Sequence, residues 1–441
     1  MYSNKHIAKI SYPILLSLLA QNIIQVTDTA FLGRVGEVEL GASALAGIIY
    51  IAIYTLGFGF SMGSQILIGR RNGEKNFHKI GEIVVQGVVF LLISAMFLIP
   101  LLRYGSANWF PALFESPNVA NAVSDYLEWR SFGLLFSFTN LMFRAFYIGT
   151  ARTKVLTLNA LVMAVVNIVF DYVLIFGKFG FPELGIKGAG IASVIAEASS
   201  TLFFVIYTKK TVDLKKYGFG KFRFQWSVIK KTLDISVFMM MQYFTSLVTW
   251  MIFFLLIENY MGERSLAVTN IVRSLYMIFI IPSHALGATT NTLISNTIGA
   301  GRKNEIMNLI KRLSLISLGV MFCVIAISAV FAISIIRIYT PDDPILVNET
   351  LPPLYVLISF LPLYAVGSIT VNSVSGSGNT RTMFGIEMVT LAIYMVYAWF
   401  VIVHLRASVA MAWTTEHVYW FFLTLLSFIY MRSGKWKDKE I

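Results

Sequence analysis

The sequence predicts an all-α polytopic membrane protein, with twelve transmembrane helices arranged as two pseudo-symmetric six-helix bundles around a central cleft. Three observations carry this. The first is composition: 57% of the 441 residues are hydrophobic, only 13% are charged, and mean hydropathy is +0.72, far from the soluble range. The second is the number of apolar runs, and the third is an internal repeat.

A helix crossing about 30 Å of hydrocarbon needs about 20 mostly apolar residues. Runs of that kind occupy 10–33, 42–68, 81–102, 122–149, 155–177, 186–208, 232–258, 265–297, 312–337, 346–375, 382–404 and 408–431. The second, eighth and tenth exceed the minimum and are expected to tilt or protrude. The N-terminal stretch MYSNKHIAKISYPILL lacks a small-residue cleavage site after a short apolar core, so its run reads as a retained span. Basic segments punctuate the runs: GRRNGEKNFHK, RTK, KKTVDLKKYGFGKFRF, GAGRKNE and the tail RSGKWKDKE.

With twelve crossings these segments and the N-terminus share one side. The 35 Lys and Arg divide as 25 on that side and 8 on the other, with Arg144 and Arg273 inside spans. Both termini are therefore expected in the cytoplasm, in a multi-pass protein of the cell inner (plasma) membrane. The same distribution argues against nucleic acid as a partner, because the cations lie in short clusters between apolar runs. Cys323 is the one cysteine, which rules out an intrachain disulfide and any CxxC motif.

The repeat sets FGFSMGSQILIGRRNGEKN (58–76) beside LGATTNTLISNTIGAGRKN (286–304) at an offset of 228. YIGTARTK (147–154) sets beside VSGSGNTR (374–381) at an offset of 227. Six spans per half give both halves the same orientation, so their pseudo-two-fold axis runs along the membrane normal. The expected organisation is an N-lobe over 1–208, a cytoplasmic linker over 209–231 and a C-lobe over 232–441. Such duplication suits a transporter, in which a cleft between two bundles opens to either side.

Polar residues inside spans are costly, about 3 kcal/mol for a charge at the bilayer centre by insertion scales, and each asks for a reason. In the first span Ser17, Gln21, Gln25 and Asp28 follow at intervals of 4, 4 and 3 and share one stripe. The fifth span carries Asn167 and Asp171 one turn apart, with Asp171 at the depth of Asp28. The fourth supplies Asn140 and Arg144 at i and i+4; Arg144 can also snorkel to the interface. Glu197 and Glu416 lie deep in spans six and twelve, at similar positions in the two halves, where packing or cavity polarity explains them. Two acids at one depth with an amide beside them suit a shared proton, and the same oxygens suit Na⁺. No histidine or cysteine cluster has metal-ligand spacing, and no resident cofactor is expected.

The chain resembles the multidrug and toxic compound extrusion (MATE) family, most closely its bacterial DinF-like branch. The motifs that carry this are SYPILLSLLAQNIIQVTDTAFLGRVG in span 1, NIVFD in span 5, and the paired signatures GRRNGEKN and GAGRKN. The resemblance implies an antiporter that expels lipophilic, mostly cationic small molecules by alternating access against inward H⁺ or Na⁺ flow. It further implies a cation site of Asp28, Asn167 and Asp171, with Asn140 at the span-4 amide and Pro13 at the residue where span 1 bends. Where other branches carry a span-7 acid, this chain has the stripe Gln242, Ser246 and Thr249, and span 10 has no acid, so coupling is expected in the N-lobe. Gln21, Gln25, Gln242, Ser246, Glu197 and Arg144 are candidate cavity-lining residues. The expected partners are small lipophilic or cationic molecules and membrane lipids, and a monomer is expected.

Two rival functions deserve comparison. A lipid or lipid-linked oligosaccharide flippase of the same superfamily would line its cavity with basic residues, and Arg144 and Arg273 are few. An intramembrane prenyltransferase needs two Asp-rich helical motifs; NIVFD stands alone, and Ile175 occupies the turn where another Asp is wanted.

Overall fold

The computed structural model describes residues 2–110, 116–219, 223–341 and 343–439. Residues 220–222 of the expected linker and residue 440 of the basic tail lie outside them. The described residues contain helices and no strand, as a chain must when its backbone polar groups meet hydrocarbon rather than water.

The helices are α1 (Asn4–Val35), α2 (Glu37–Gly73), α3 (His78–Asn108), α4 (Pro117–Arg130), α5 (Gly133–Gly149), α6 (Lys154–Ile175), α7 (Gly185–Thr211) and α8 (Trp226–Phe279). They continue as α9 (Ile281–Gly299), α10 (Ile306–Val330), α11 (Ala332–Arg337), α12 (Pro344–Gly376), α13 (Thr380–Trp399), α14 (Val409–Trp413) and α15 (Thr415–Ser433). By length and apolarity nine of these described helices are able to cross a membrane, and the bent pair α4–α5 makes ten. Gly262 divides α8 into two arms, the second continuing into α9, and α14–α15 supplies the last crossing. The expected twelve spans are thereby accounted for. Their outer faces carry large apolar side chains in the open, among them Phe97 (75% exposed), Val396 (69%) and Leu161 (60%), which lipid rather than water accommodates.

Local chemistry sets the breaks. Pro117 and Pro344 sit in the first turns of α4 and α12, where a missing N–H costs nothing. Asp343 caps α12 by accepting from the Leu346 N–H at 2.9 Å. Span 4 differs from the single helix expected: α4 and α5 meet at a 53° bend, with Ser131 and Phe132 between them.

The helices cluster into two compact units, Ala8–Met240 and, separately, the first seven residues with Met241–Ile441. Hydrogen bonds explain where the division falls. Around the linker, the Gly81 N–H donates to the Tyr217 carbonyl at 2.8 Å, and the Gln86 amide donates to the Arg223 carbonyl at 2.6 Å. Ser236, on the first turns of α8, donates to the Phe60 carbonyl at 3.1 Å. These ties hold the linker and the start of α8 to the first unit. Conversely, Arg312 donates to Asn4 Oδ1 at 2.7 Å and to the Tyr2 carbonyl at 2.6 Å, which places the N-terminal turn in the second. Each unit has its own core, one around Phe60, Phe138 and Leu134, the other around Leu354, Phe360 and Trp413. Within the first unit α6 and α7 pack closely enough that a Cβ on Gly188 would stand 2.6 Å from the Leu174 carbonyl oxygen.

Candidate functional site

The first unit gathers its polar side chains from α1, α4, α5, α6 and α7. Asp28 comes from α1 and is partly buried; Asp171 and Asn167 come from α6 and are 0% and 1% exposed. The carboxyl groups of Asp28 and Asp171 lie close enough to interact. Yet Asp28 Oδ1, both Asp171 carboxyl oxygens and Asn167 Oδ1 are buried with no donor. Buried oxygens without a donor are costly, and two facing carboxyls repel unless something positive lies between them. Chemically, this cluster is a place for a proton or a small hard cation. Among the described residues no group of three His, Cys, Asp or Glu converges as a metal site.

Asn140 is placed differently. Its amide donates to the Glu197 carbonyl at 3.0 Å and accepts from the Thr201 hydroxyl at 2.9 Å, so both ends of the side chain are engaged on α7. Glu197 receives both arms of Arg130, at 2.6 and 2.9 Å, and the guanidinium lies 3.8 Å over the Tyr50 ring. Tyr50 in turn shares a 3.3 Å hydrogen bond with Ser137. Arg144 makes no ion pair among the described residues and lies near Tyr54. Gln21 is partly buried and Gln25 exposed; Ser17, below them on the stripe, donates to the Ile14 carbonyl of its own helix at 2.8 Å.

At Pro13 α1 runs on without a break. Proline cannot donate to the carbonyl four residues earlier, here that of Lys9. Hydroxyls of α6 and its cap serve this stretch instead: Thr153 reaches the Lys9 and Ile10 carbonyls at 3.4 and 2.8 Å, and Thr157 the Pro13 carbonyl at 3.2 Å. The acid-bearing helix α6 therefore holds α1 at the point where its ladder is weakest.

Sequence reasoning missed two residues. Arg130 falls near the outer end of the fourth apolar run, and the structure pairs it with Glu197 at the α4–α5 bend. In the second unit Glu387 of α13, 1% exposed, accepts from Tyr419 at 2.6 Å, Ser246 at 2.8 Å and Gln242 Nε2 at 3.3 Å. Gln242 and Ser246 thus converge on an acid of another span, leaving Gln242 Oε1 buried without a donor. The signal was present: TMFGIEMVTLAIYMVYAW is an apolar helix with one carboxylate. Glu416, in α15, is 4% exposed.

Comparison with known proteins agrees with this architecture. The family model described as MatE matches residues 13–173 and 238–400. A "Probable multidrug resistance protein NorM" of Thermotoga maritima is 23% identical over 442 aligned residues, covering 99% of this chain and 94% of that protein. Among solved structures, one described as the outward-facing conformation of a multidrug resistance MATE family transporter superposes with a TM-score of 0.89 at 17% identity, over 99% of this chain and 97% of that one. A MATE structure in complex with MaD3S superposes with a TM-score of 0.88 at 17% identity, over 97% and 95%.

Proposed function

This chain belongs to the MATE family of multi-pass membrane transporters, and from that premise we propose that it is a secondary active multidrug efflux antiporter, exporting lipophilic, mostly cationic small molecules in exchange for H⁺ or Na⁺. The observation that carries the reading is the set of four buried oxygens on Asp28, Asp171 and Asn167 that lack any donor. Residues placed only for packing would satisfy their oxygens; these are left for an ion.

In this mechanism Asp28 and Asp171 take up the cation from the outer side of the inner membrane, with both termini in the cytoplasm. Binding removes the repulsion between them and draws α1 toward α6. Because α1 is weakened at Pro13, that attraction bends it there and narrows the space that held the substrate. Release of the cation inward resets the pair. Ion entry has ample driving force, about 2.3 kcal/mol per charge for each 100 mV. The ion must bind one conformation better than the other, since equal affinity shifts no equilibrium. The acids of the first unit, in place of a span-7 acid, support a reading close to the DinF-like branch. It acts on this reading as a monomer, with no resident cofactor and no enzymatic step.

Ethidium movement in proteoliposomes tests the proposal, with proton and sodium gradients imposed separately. Wild type is expected to move ethidium under one of them. Asp28→Asn and Asp171→Asn are expected to abolish gradient-driven movement while ethidium still binds. Unchanged transport in both variants would reduce the pair to packing residues. No movement under either gradient would favour a lipid flippase, although the largely buried Arg130 of the first unit is occupied by Glu197.

A further inference from the structure

A second site lies in the first unit, away from the acidic pair. A cavity of about 320 Å³ opens where the start of α1, the α5–α6 turn and the end of α7 converge. Its lining includes Lys9, Arg152 and Lys154, the rings of Tyr147 and Tyr207, and Thr211, and it includes no acid. None of the three cations makes an ion pair among the described residues; Arg152 packs its guanidinium 5.1 Å over the Tyr217 ring. Three exposed like charges around one cavity repel one another, screened in part by water and salt, and a bound anion lowers that repulsion further.

The internal repeat shows that this basic character is local. At the matching turn of the second half Asn379 replaces Arg152 and Gly378 replaces Ala151, and one cation, Arg381, stands for Lys154. Ala151 holds a left-handed backbone at φ 57° where the other half uses glycine at φ 91°, a costly conformation for a residue with a Cβ. A merely structural turn has no need of the extra charge.

We propose that this cavity binds the phosphate of an anionic glycerophospholipid headgroup. The chemistry recognised is a phosphate oxyanion, which Arg152 and the two lysines can hold by charge-assisted hydrogen bonds. A lipid rather than free phosphate is favoured by the neighbouring surface. One turn or less from the lining, Tyr12 (60% exposed), Leu158 (48%) and Ile206 (45%) present apolar side chains in the open, a path for acyl chains beside the headgroup. The basic loops of the chain fall on this side as well, where anionic lipid is attracted.

The test is native mass spectrometry of the full chain in detergent, titrated with dioleoyl phosphatidylglycerol, with dioleoyl phosphatidylcholine and with inorganic phosphate. Wild type is expected to retain one phosphatidylglycerol in preference to phosphatidylcholine. Arg152→Gln with Lys154→Gln is expected to weaken that binding by about tenfold or more. The control pair Lys311→Gln with Arg381→Gln, which removes equal charge from the second unit, is expected to leave it unchanged. Phosphatidylglycerol retained equally by the cavity variant would overturn the proposal, as would equal loss in the control pair, which would mean diffuse attraction. Inorganic phosphate binding with the same sensitivity, and no preference for phosphatidylglycerol, would overturn the lipid assignment in favour of free phosphate. Elution of each variant at the wild-type position on size exclusion separates lost binding from lost folding.

Discussion

Arg130 and Glu197 form a largely buried ion pair between α4 and α7 of the first unit. Their side chains are 12% and 10% exposed, and the guanidinium is held on two sides, by the carboxylate and by the Tyr50 ring. Removing one partner leaves a buried charge unpaired, at a cost of about 3–5 kcal/mol, whereas replacing both with apolar residues costs far less. Arg130→Leu and Glu197→Leu are each expected to lower the unfolding temperature in detergent markedly, and the double variant to recover most of the loss. Equal loss in all three would mean that shape rather than charge matters here. Outside the membrane, Arg264 donates to Asp343 at 2.6 and 3.2 Å and to Glu349 at 2.7 Å. The guanidinium, with the Leu346 N–H, holds the Asp343 carboxyl down at about 2. A depressed carboxylate contributes stability fully above its unfolded value, about 4, and that contribution fades as pH falls through about 2. Hydrogen exchange at the start of α12, corrected for intrinsic rate, is expected to stay constant from neutral pH down to about pH 4. In Arg264→Gln protection should begin to fail at a higher pH than in wild type.

The helical elements show which features were legible in one sequence and which were not. Each apolar run became largely helical, because within one segment the helix is the arrangement that satisfies every backbone polar group in lipid. The stripe ending in Asp28 and the i, i+4 pair of Asn167 and Asp171 followed from helical period alone. What escaped was set by partners far away in the chain: Arg130 finds Glu197 across 67 residues, and Gln242 finds Glu387 across 145. The engagement of Asn140 on α7 was hidden for the same reason. Backbone strain is another property that only coordinates reveal, and it makes a paired prediction. Gly262 divides α8 at φ 83°, and a Cβ there would meet nothing within 4 Å. At φ 83° and ψ 173° the backbone lies in a region essentially reserved to glycine, so Gly262→Ala costs conformation alone, about 1–3 kcal/mol. Ala151→Gly relieves a different strain, the left-handed backbone at φ 57°, and is expected to stabilise by up to about 1 kcal/mol, after the glycine's greater unfolded-state entropy is offset. Denaturation of the two variants should move in opposite directions; movement in the same direction would mean that handedness is not what these positions select.

For the molecule as a whole, the decisive contrast is between two kinds of buried acid. In the first unit, Asp28 Oδ1 and both oxygens of Asp171 have no donor, and Asn167 adds an unpartnered amide oxygen. In the second, Glu387 is surrounded by donors from Gln242, Ser246 and Tyr419. A carboxylate already served by neutral donors gains little from a cation, whereas a pair with none gains a great deal. The two units thus hold these acids in opposite ways, and the proposed coupling through the first unit alone predicts this contrast. On this argument Glu387→Gln retains gradient-driven ethidium transport with an altered KM, because the change reorganises a hydrogen-bonded cluster and leaves the ion site intact. Asp171→Asn loses the drive altogether. Measuring initial rates against ethidium concentration, with the driving gradient present and collapsed, separates the two effects. If Glu387→Gln behaves like Asp171→Asn, ion coupling is shared between the units, and the donor-rich cluster of the second must release its hydrogen bonds during the cycle.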